Sequence, residues 1–336
     1  KTMDFKVIRF RFIEPVHIST ARGDYGKGEA GIRSDTLYSA IIHMWAMLGK
    51  NQWITDFTEK PDACFAITSL FPFVQKNDSE FIYFFPKIVK DKTRNELPQE
   101  LVKKFKKVAY YDQHFFVQRL EQPLDVTDDK HIYGQFMSES LDEKFFPLSE
   151  KHIVPRIMRP RDDREDTRPF YVEKTLFKPH AGLFCLVHYL DAKWEIRVKA
   201  ALDLLKEEGL GTDRSVGMGR FTAEYDTLAF KFPENASHAV SLSLFCPENY
   251  EQLNSMLDDK VRYQFIKRGG WISEPYQSYR KRSIYMFTEG SLFLLNRPSV
   301  SVFGKSADIT PLQTPRKLDH PVYRVGLGFF IPCSIE

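Results

Sequence analysis

Four glycines fall within eleven residues, at Gly209, Gly211, Gly217 and Gly219, with Arg214 among them and Arg220 directly after. Glycine tolerates positive φ and leaves the main chain unshielded, so such a run dictates a turn that something else approaches closely. Its flanks fix its kind. Upstream, Val198, Ala201, Leu202 and Leu205 recur at i, i+3, i+4 and i+7, which predicts an amphipathic helix from Ile196 to Glu208. Gly209 stands where such a helix stops with a left-handed residue. Downstream, Phe221, Ala223 and Tyr225 alternate with Thr222, Glu224 and Asp226, the period of a half-buried strand. Helix, loop, strand is the reverse of the dinucleotide fingerprint and the P-loop, where a strand comes first and phosphate rests on a helix N-terminus. The stretch 209–221 therefore reads as a loop for a sugar-phosphate chain, offering bare backbone, N–H groups able to form an anion nest, and two guanidiniums. A tight structural turn is the alternative that the same composition allows.

A chain of 336 residues can bury a large core in two domains, and 43% hydrophobic with 14% aromatic residues excludes disorder. Lys and Arg number 48 against 45 Asp and Glu, so any nucleic-acid surface must be a local patch. Cys64, Cys185, Cys246 and Cys333 form no C-x-x-C pair, which fits a reduced cytoplasm. No apolar run approaches the ~18 residues that span a bilayer, so a soluble, cytoplasmic protein is expected.

Along the chain, Phe5 to Ile13 alternates as a strand with one oily and one largely basic face, the latter carrying Arg9 and Arg11. His17 to Arg33 is a second glycine-bearing basic loop. Ser34 or Asp35 is expected to cap a helix whose buried stripe is Leu37, Ile41, Met44, Trp45 and Leu48. Phe81 to Val89 reads as a strand and Pro98 to Val108 as a helix, whereas 113–155 has no sustained period and reads as an irregular insertion with a hairpin. The most basic stretch, Val154 to Arg164, carries Arg156, Arg159, Arg161 and Arg164, and its acids Asp162 and Asp163 allow it to be a solvated loop. Leu183 to Leu190 is a buried strand, Lys231 to Ser237 a linker, and 238–336 opens with a strand at Val240 to Phe245 and a helix near Glu248 to Leu257.

The spacing G-x-G-x-x-x-x-x-G-x-G-x-F after a helix resembles the signature loop of the RAMP proteins, the ferredoxin-like RNA-binding subunits of CRISPR effector complexes. Pro15-Val16-His17, a glycine-bearing loop and Ser34-Asp35-Thr36-Leu37-Tyr38-Ser39-Ala40 resemble the N-terminal signature of Csm complex subunit 4, with Ile18-Ser19 standing where that family has Phe-Gly. Arg268-Gly269-Gly270-Trp271, Arg280-Lys281-Arg282-Ser283-Ile284-Tyr285, Glu289-Gly290-Ser291 and Pro321-Val322-Tyr323-Arg324-Val325-Gly326 are similar, in order, to its C-terminal half.

The resemblance implies an α+β fold of two ferredoxin-like (RRM-like) domains, 1–232 and 238–336. The first carries insertions at about 50–80 and 113–180, the latter including a thumb-like hairpin that presses on guide RNA. It implies a non-catalytic subunit of a type III-A effector in antiviral defence. Such a subunit binds the repeat-derived 5′ handle of the crRNA and joins the large polymerase-like subunit to the backbone RAMP subunit, with no cofactor, no membrane and no direct DNA contact. The RNA contacts expected are His17, Arg33, Ser34, Arg156, Arg159, Arg161, Arg164, Gly209, Gly211, Arg214, Ser215, Gly217, Gly219, Arg220, Arg268, Gly269, Gly270, Trp271, Arg280 and Arg282.

Single-stranded RNA calls for cations on phosphates and flat groups on bases. Trp271, Tyr25 and Tyr38 are the stacking candidates, although a tryptophan after Gly-Gly is as a rule a core residue. The nine histidines show no H-x-x-x-H or H-E-x-x-H spacing, so a metal centre is not expected. The alternative function is a RAMP-type endonuclease, with His17 as general base for guide processing or Asp24 for target cleavage; Asp35 is a further loop-proximal aspartate, explained by helix capping. Gly304-Lys305-Ser306 lacks the first glycine of a P-loop, since Ser299 occupies its place.

Overall fold

The structure is a computed structural model and describes residues 1–17, 31–158, 168–212, 214, 217–272, 276, 279–295 and 299–335, with Met158 and Arg168 described by backbone alone. The first half comprises β1 (Thr2–Phe12), α1 (Ser34–Met47), α2 (Asn51–Glu59), β2 (Phe65–Ile67), β3 (Phe71–Gln75), β4 (Phe81–Pro86), α3 (Gln99–Lys107), β5 (Tyr110–Asp112), α4 (Gln113–Glu121), β6 (Ile132–Tyr133), β7 (Phe136–Met137), β8 (Ser149–Met158), β9 (Arg168–Phe177), β10 (Ala181–Tyr189), α5 (Lys193–Glu208) and β11 (Phe221–Lys231). The second comprises β12 (His238–Ser241), α6 (Tyr250–Ser255), β13 (Phe265–Arg268), β14 (Ile284–Phe287), β15 (Leu292–Leu294), β16 (Ser301–Asp308) and β17 (Tyr323–Cys333). The chain is thus a mixed α+β protein.

Its main sheet runs β11-β1-β10-β3-β4-β5-β7-β6, with β2 also paired to β10. Strand β1 is buried on both faces, because Phe5 and Val7 enter one core cluster and Ile8 and Phe10 another. Its basic residues exist but are neutralised by the strand beside them. Arg9 lies 2.9 Å from Glu224 and 2.7 Å from Asp226, and Arg11 lies 2.6 Å from Glu224. On one face of this sheet lie α1 and α5, burying Leu37, Ile41, Trp45, Val198, Leu202 and Leu205 in the cluster that holds Ile8 and Phe10. Trp45 ties the helices together by donating its indole N–H to the Arg197 carbonyl at 2.8 Å. The stripe read from the sequence is the buried one, except that Leu48 lies exposed beyond the helix end.

Four expectations change. Residues 50–80 are not wholly an insertion: Phe65–Ile67 and Phe71–Gln75 are β2 and β3, paired to β10 inside the main sheet. The region 113–155 is less irregular than read, since Gln113–Glu121 is a helix capped by Asp112, whose side chain accepts from the Phe115 N–H. Arg33, not Ser34 or Asp35, occupies the cap position of α1, and no side chain caps it. In the second half, the sheet order is β15-β12-β17-β16 and the six-residue α6 is the one α-helix among the described residues, so a second four-strand, two-helix unit is not what the strands draw. The thumb-like hairpin is present as β8 and β9, paired from Ser149 with Phe177 to Met158 with Arg168.

The expected linker is no free tether. Phe232 and Ala236 are buried, and Phe232 exchanges backbone hydrogen bonds with Lys1 at 2.9 and 3.0 Å. The halves share their core through β17, a strand buried along nearly its whole length. Its Val325 and Leu327 join the α1/α5 cluster, and Phe329, Ile331 and Cys333 join the cluster of Phe5 and Phe230, while Phe330 faces Phe245 and Phe293 of its own half. The four cysteines are buried and unpaired, and no helix among the described residues is long and apolar enough to cross a membrane.

Candidate nucleic-acid interface

Three segments distant in sequence meet where the glycine-rich loop leaves α5. Gly209 ends the helix at φ +85°, its N–H on the Leu205 carbonyl at 2.8 Å, and the Leu210 N–H closes the loop on the Gly219 carbonyl at 2.9 Å. The loop is then fastened to the chain leaving β1: Gly219 N–H donates to Pro15 at 2.9 Å, Thr212 N–H to His17 at 2.8 Å, and Ile13 N–H to Arg220 at 3.0 Å. On the other side of that chain stands the root of the hairpin. Val16 and Thr175 exchange two backbone hydrogen bonds of 2.9 Å, and the His17 Nδ1–H donates to the Glu173 carbonyl at 2.6 Å. From β8, Arg156 reaches the Met218 sulfur at 3.6 Å. Loop, connecting chain and hairpin root are therefore joined by main-chain hydrogen bonds.

This geometry revises why the glycines are there. A Cβ at Gly209 would strike the Met218 carbonyl, one at Gly219 the Leu210 carbonyl, and one at Gly211 the His17 oxygen at 2.5 Å. The close approach at these three positions is by the protein's own main chain. Gly217 differs: it is exposed, has φ +79°, and has no described atom within 4 Å of a built Cβ. Beside it, Arg214 and Arg220 are partly exposed, pair with no described carboxylate, and the Arg220 Nε is buried without a hydrogen-bond partner among the described residues. Ser215, Arg159, Arg161, Arg164, Asp24 and Tyr25 lie outside the described residues.

Several expected RNA contacts instead hold the two halves together at the start of α1. Ser34 is fully buried; its N–H donates to Ser69 Oγ at 2.9 Å and its own Oγ accepts the Leu244 N–H at 3.0 Å. Asp35 is likewise buried, and Arg268 clamps it with Nε at 2.8 Å and Nη2 at 3.0 Å, while Arg324 reaches the same carboxylate. Burial alone would raise the Asp35 pKa, yet the two guanidiniums win and bring it down from 3.8 to about 2. Arg33 pairs with Glu289 at 2.5 Å, and Glu289 also accepts from Ser69. The Gly269 carbonyl accepts from Arg324 at 2.8 Å, and a Cβ there would meet Ser283 Oγ at 2.7 Å. Ser34, Arg268 and Gly269 are thus engaged inside the protein rather than presented to a ligand. Sequence reasoning missed Ser69 and Arg324 as their partners, which lie 35 and 289 residues away from Ser34 and Asp35.

His43 and Lys281 were also missed. Burial lowers the His43 pKa, and Arg214 and Lys281 lower it further, so the cations of the loop and of the second half act on one point of α1. Burial, helped by Arg324, brings Lys281 down to about 8.

Trp271 is not a core residue. It is 49% exposed, and the Arg280 guanidinium lies over its ring at 4.5 Å. Gly270, at φ +124°, accepts the Lys281 N–H at 2.9 Å, and Arg282 donates to the Asp308 carbonyl at 2.5 Å. Tyr38 is wholly buried with its hydroxyl accepting the Ile67 N–H at 2.9 Å, so it offers no stacking face. His17 is 5% exposed, and its Nδ1–H is given to the Glu173 carbonyl, which leaves Nε2 as its proton-accepting nitrogen.

Residues 234–333 match the family model of the CRISPR Csm4 C-terminal domain. The Csm4 protein of Streptococcus thermophilus is 22% identical over 310 residues, spanning 90% of this chain and 91% of that one. Its counterpart from Methanocaldococcus jannaschii is 25% identical over 239 residues, 62% and 61% of the two chains. Among solved structures, a chain of the Csm3-Csm4 subcomplex of the type III-A CRISPR-Cas interference complex superposes with a TM-score of 0.61 at 18% identity, over 98% of this chain and 99% of that one. A chain of the Csm1-Csm4 cassette in complex with pppApA gives 0.60 at 15% identity, over 99% of each. Residues 234–333 thus carry the Csm4 C-terminal domain, and along nearly its whole length the chain is similar to Csm4 proteins in sequence and in fold.

Proposed function

We propose that this chain is a non-catalytic RNA-binding subunit of a type III-A effector, which grips the repeat-derived 5′ handle of the mature crRNA and bridges the large polymerase-like subunit to the backbone RAMP subunit. The observation that carries the reading is the convergence of the glycine-rich loop, the chain at Val16 and His17, and the root of the β8–β9 hairpin. A strand of RNA lying along Gly217 meets exposed main chain, two cations without described counter-charges, and a hairpin anchored beside them whose connecting segment carries Arg159, Arg161 and Arg164. In the first half, the order β11-β1-β10-β2/β3 with α1 and α5 on one face is that of a ferredoxin-like unit, which supports the RAMP reading of 1–232. The partners follow by analogy with the relatives solved as Csm1-Csm4 and Csm3-Csm4 assemblies. Sequencing the RNA that co-purifies with the chain tests the proposal. Short species sharing one 5′ tag are expected; RNA with no common end would overturn handle capture.

A further inference from the structure

One face of the β13–β14 ribbon has no partner among the described residues. Along β13, Phe265 and Lys267 are exposed while Ile266 and Arg268 turn inward, and across from Lys267 stands Tyr285, 61% exposed. The Phe265 and Tyr285 rings meet edge to face at 5.7 Å, and the Lys267 ammonium lies over the Tyr285 ring at 5.8 Å. Beyond the ribbon's end, Trp271 and Arg280 form a bridge and a stacked pair. The two stretches that build this surface, 260–272 and 279–288, contain seven Lys and Arg and no Asp or Glu. Exposed rings alternating with cations, in two stretches that carry no carboxylate of their own, suit a flexible polyanion that carries flat faces. A protein partner would be expected to meet this face with acids, and an apolar core alone would not require the alternation.

We infer that the outer face of the β13–β14 ribbon, with Trp271 and Arg280 at its end, is a base-stacking platform for single-stranded RNA, separate from the glycine-rich loop. Bases stack on Trp271, Tyr285 and Phe265, while Lys267 and Arg280 meet the phosphates between them. The strand is the guide itself, whose handle the proposed function already places on this chain. This inference rests on the reading of the chain as an RNA-binding subunit.

The test uses the full chain and a fluorescent 15-nucleotide oligouridylate, with a guide RNA and a target RNA as further arms. Of the four tryptophans, Trp45 and Trp194 are buried and Trp53 is partly buried, so the part of the fluorescence loss on RNA addition that disappears in Trp271→Phe reports on Trp271. Trp271→Ala and Tyr285→Ala, both at exposed positions, are each expected to weaken oligouridylate binding at least about fivefold with the melting temperature unchanged, and Trp271→Phe to keep most of the affinity. The guide arm is expected to lose more than the target arm, and a larger loss in the target arm would overturn the assignment to the guide. If wild-type chain binds RNA and the two alanine variants bind equally well, the platform is wrong and the RNA reading stands. If wild-type chain binds none of the three RNAs, both fall. If the variants bind RNA normally but shed a protein subunit from the assembled complex, the face is a protein interface and the inference is overturned.

Discussion

Asp35→Asn removes one charge from the seam between the halves and leaves its shape. In the wild type, Arg268 and Arg324 share a carboxylate that has no solvent exposure. The asparagine leaves two guanidiniums with an amide in place of an anion, and breaking a buried pair in this way costs about 3–5 kcal/mol. For a 336-residue chain melting as one unit, the unfolding entropy is roughly 0.7 kcal/mol/K, so the melting temperature should fall by about 4–7 °C. A second signature follows from proton linkage. The folded-state pKa of Asp35 is lowered, from 3.8 to about 2, so its contribution is fully present above pH ~4 and is lost as pH falls through about 2. That loss is worth roughly 2 kcal/mol, and Asp35→Asn should lack it. Calorimetry of both proteins between pH 2 and 7 reads both effects. A variant melting within about 1 °C of wild type, with the same acid profile, would refute the buried pair and the role of Asp35 in joining the halves.

Ser34→Ala strands the Leu244 N–H in the core and should cost about 1–3 kcal/mol in urea denaturation without altering RNA affinity, since its hydroxyl does not reach the surface. Gly219→Ala should destabilise by about 1–3 kcal/mol from backbone conformation alone and more from its collision with Leu210, whereas Gly217→Ala, in open space, should cost no more than about 1–2 kcal/mol; equal urea midpoints for the two would contradict the loop geometry. Arg214→Ala combined with Arg220→Ala should weaken binding of handle RNA and lower the slope of log K against log salt by about two, read by anisotropy titrations at several salt concentrations; an unchanged slope would remove both from the interface.

The elements legible in the sequence are those whose pattern is local. The stripe of α5, its stop at Gly209, the strand β11 and the apolar run of β10 all need only neighbours within one or two turns, and each element stands where expected, although Tyr225 of the expected buried face of β11 is 43% exposed. The helix α4 was hidden because its inward face includes Arg119, which looks polar until Asp91 is found 2.7 Å away from it. The near-continuous apolar run from Cys64 to Val74 signalled buried strands, but Pro72 and the absence of alternation disguised β2 and β3. At the candidate site, composition identified the loop and its cations. It could not reveal that three glycines serve the chain's own backbone, one of them against His17 in a distant segment, or that Ser34, Asp35 and Arg268 close a seam whose contacts join residues more than two hundred positions apart.

Strand β17 carries a consequence for biosynthesis. Until the ribosome has made Tyr323–Cys333, the faces of Phe5, Phe230 and the α1/α5 pair that this strand covers stay open to water. The nascent first half must wait, greasy and unsealed, for a segment made some ninety residues after β11 ends. A prematurely terminated product lacking that segment is therefore expected to expose this apolar surface and to be taken up by chaperones and proteases.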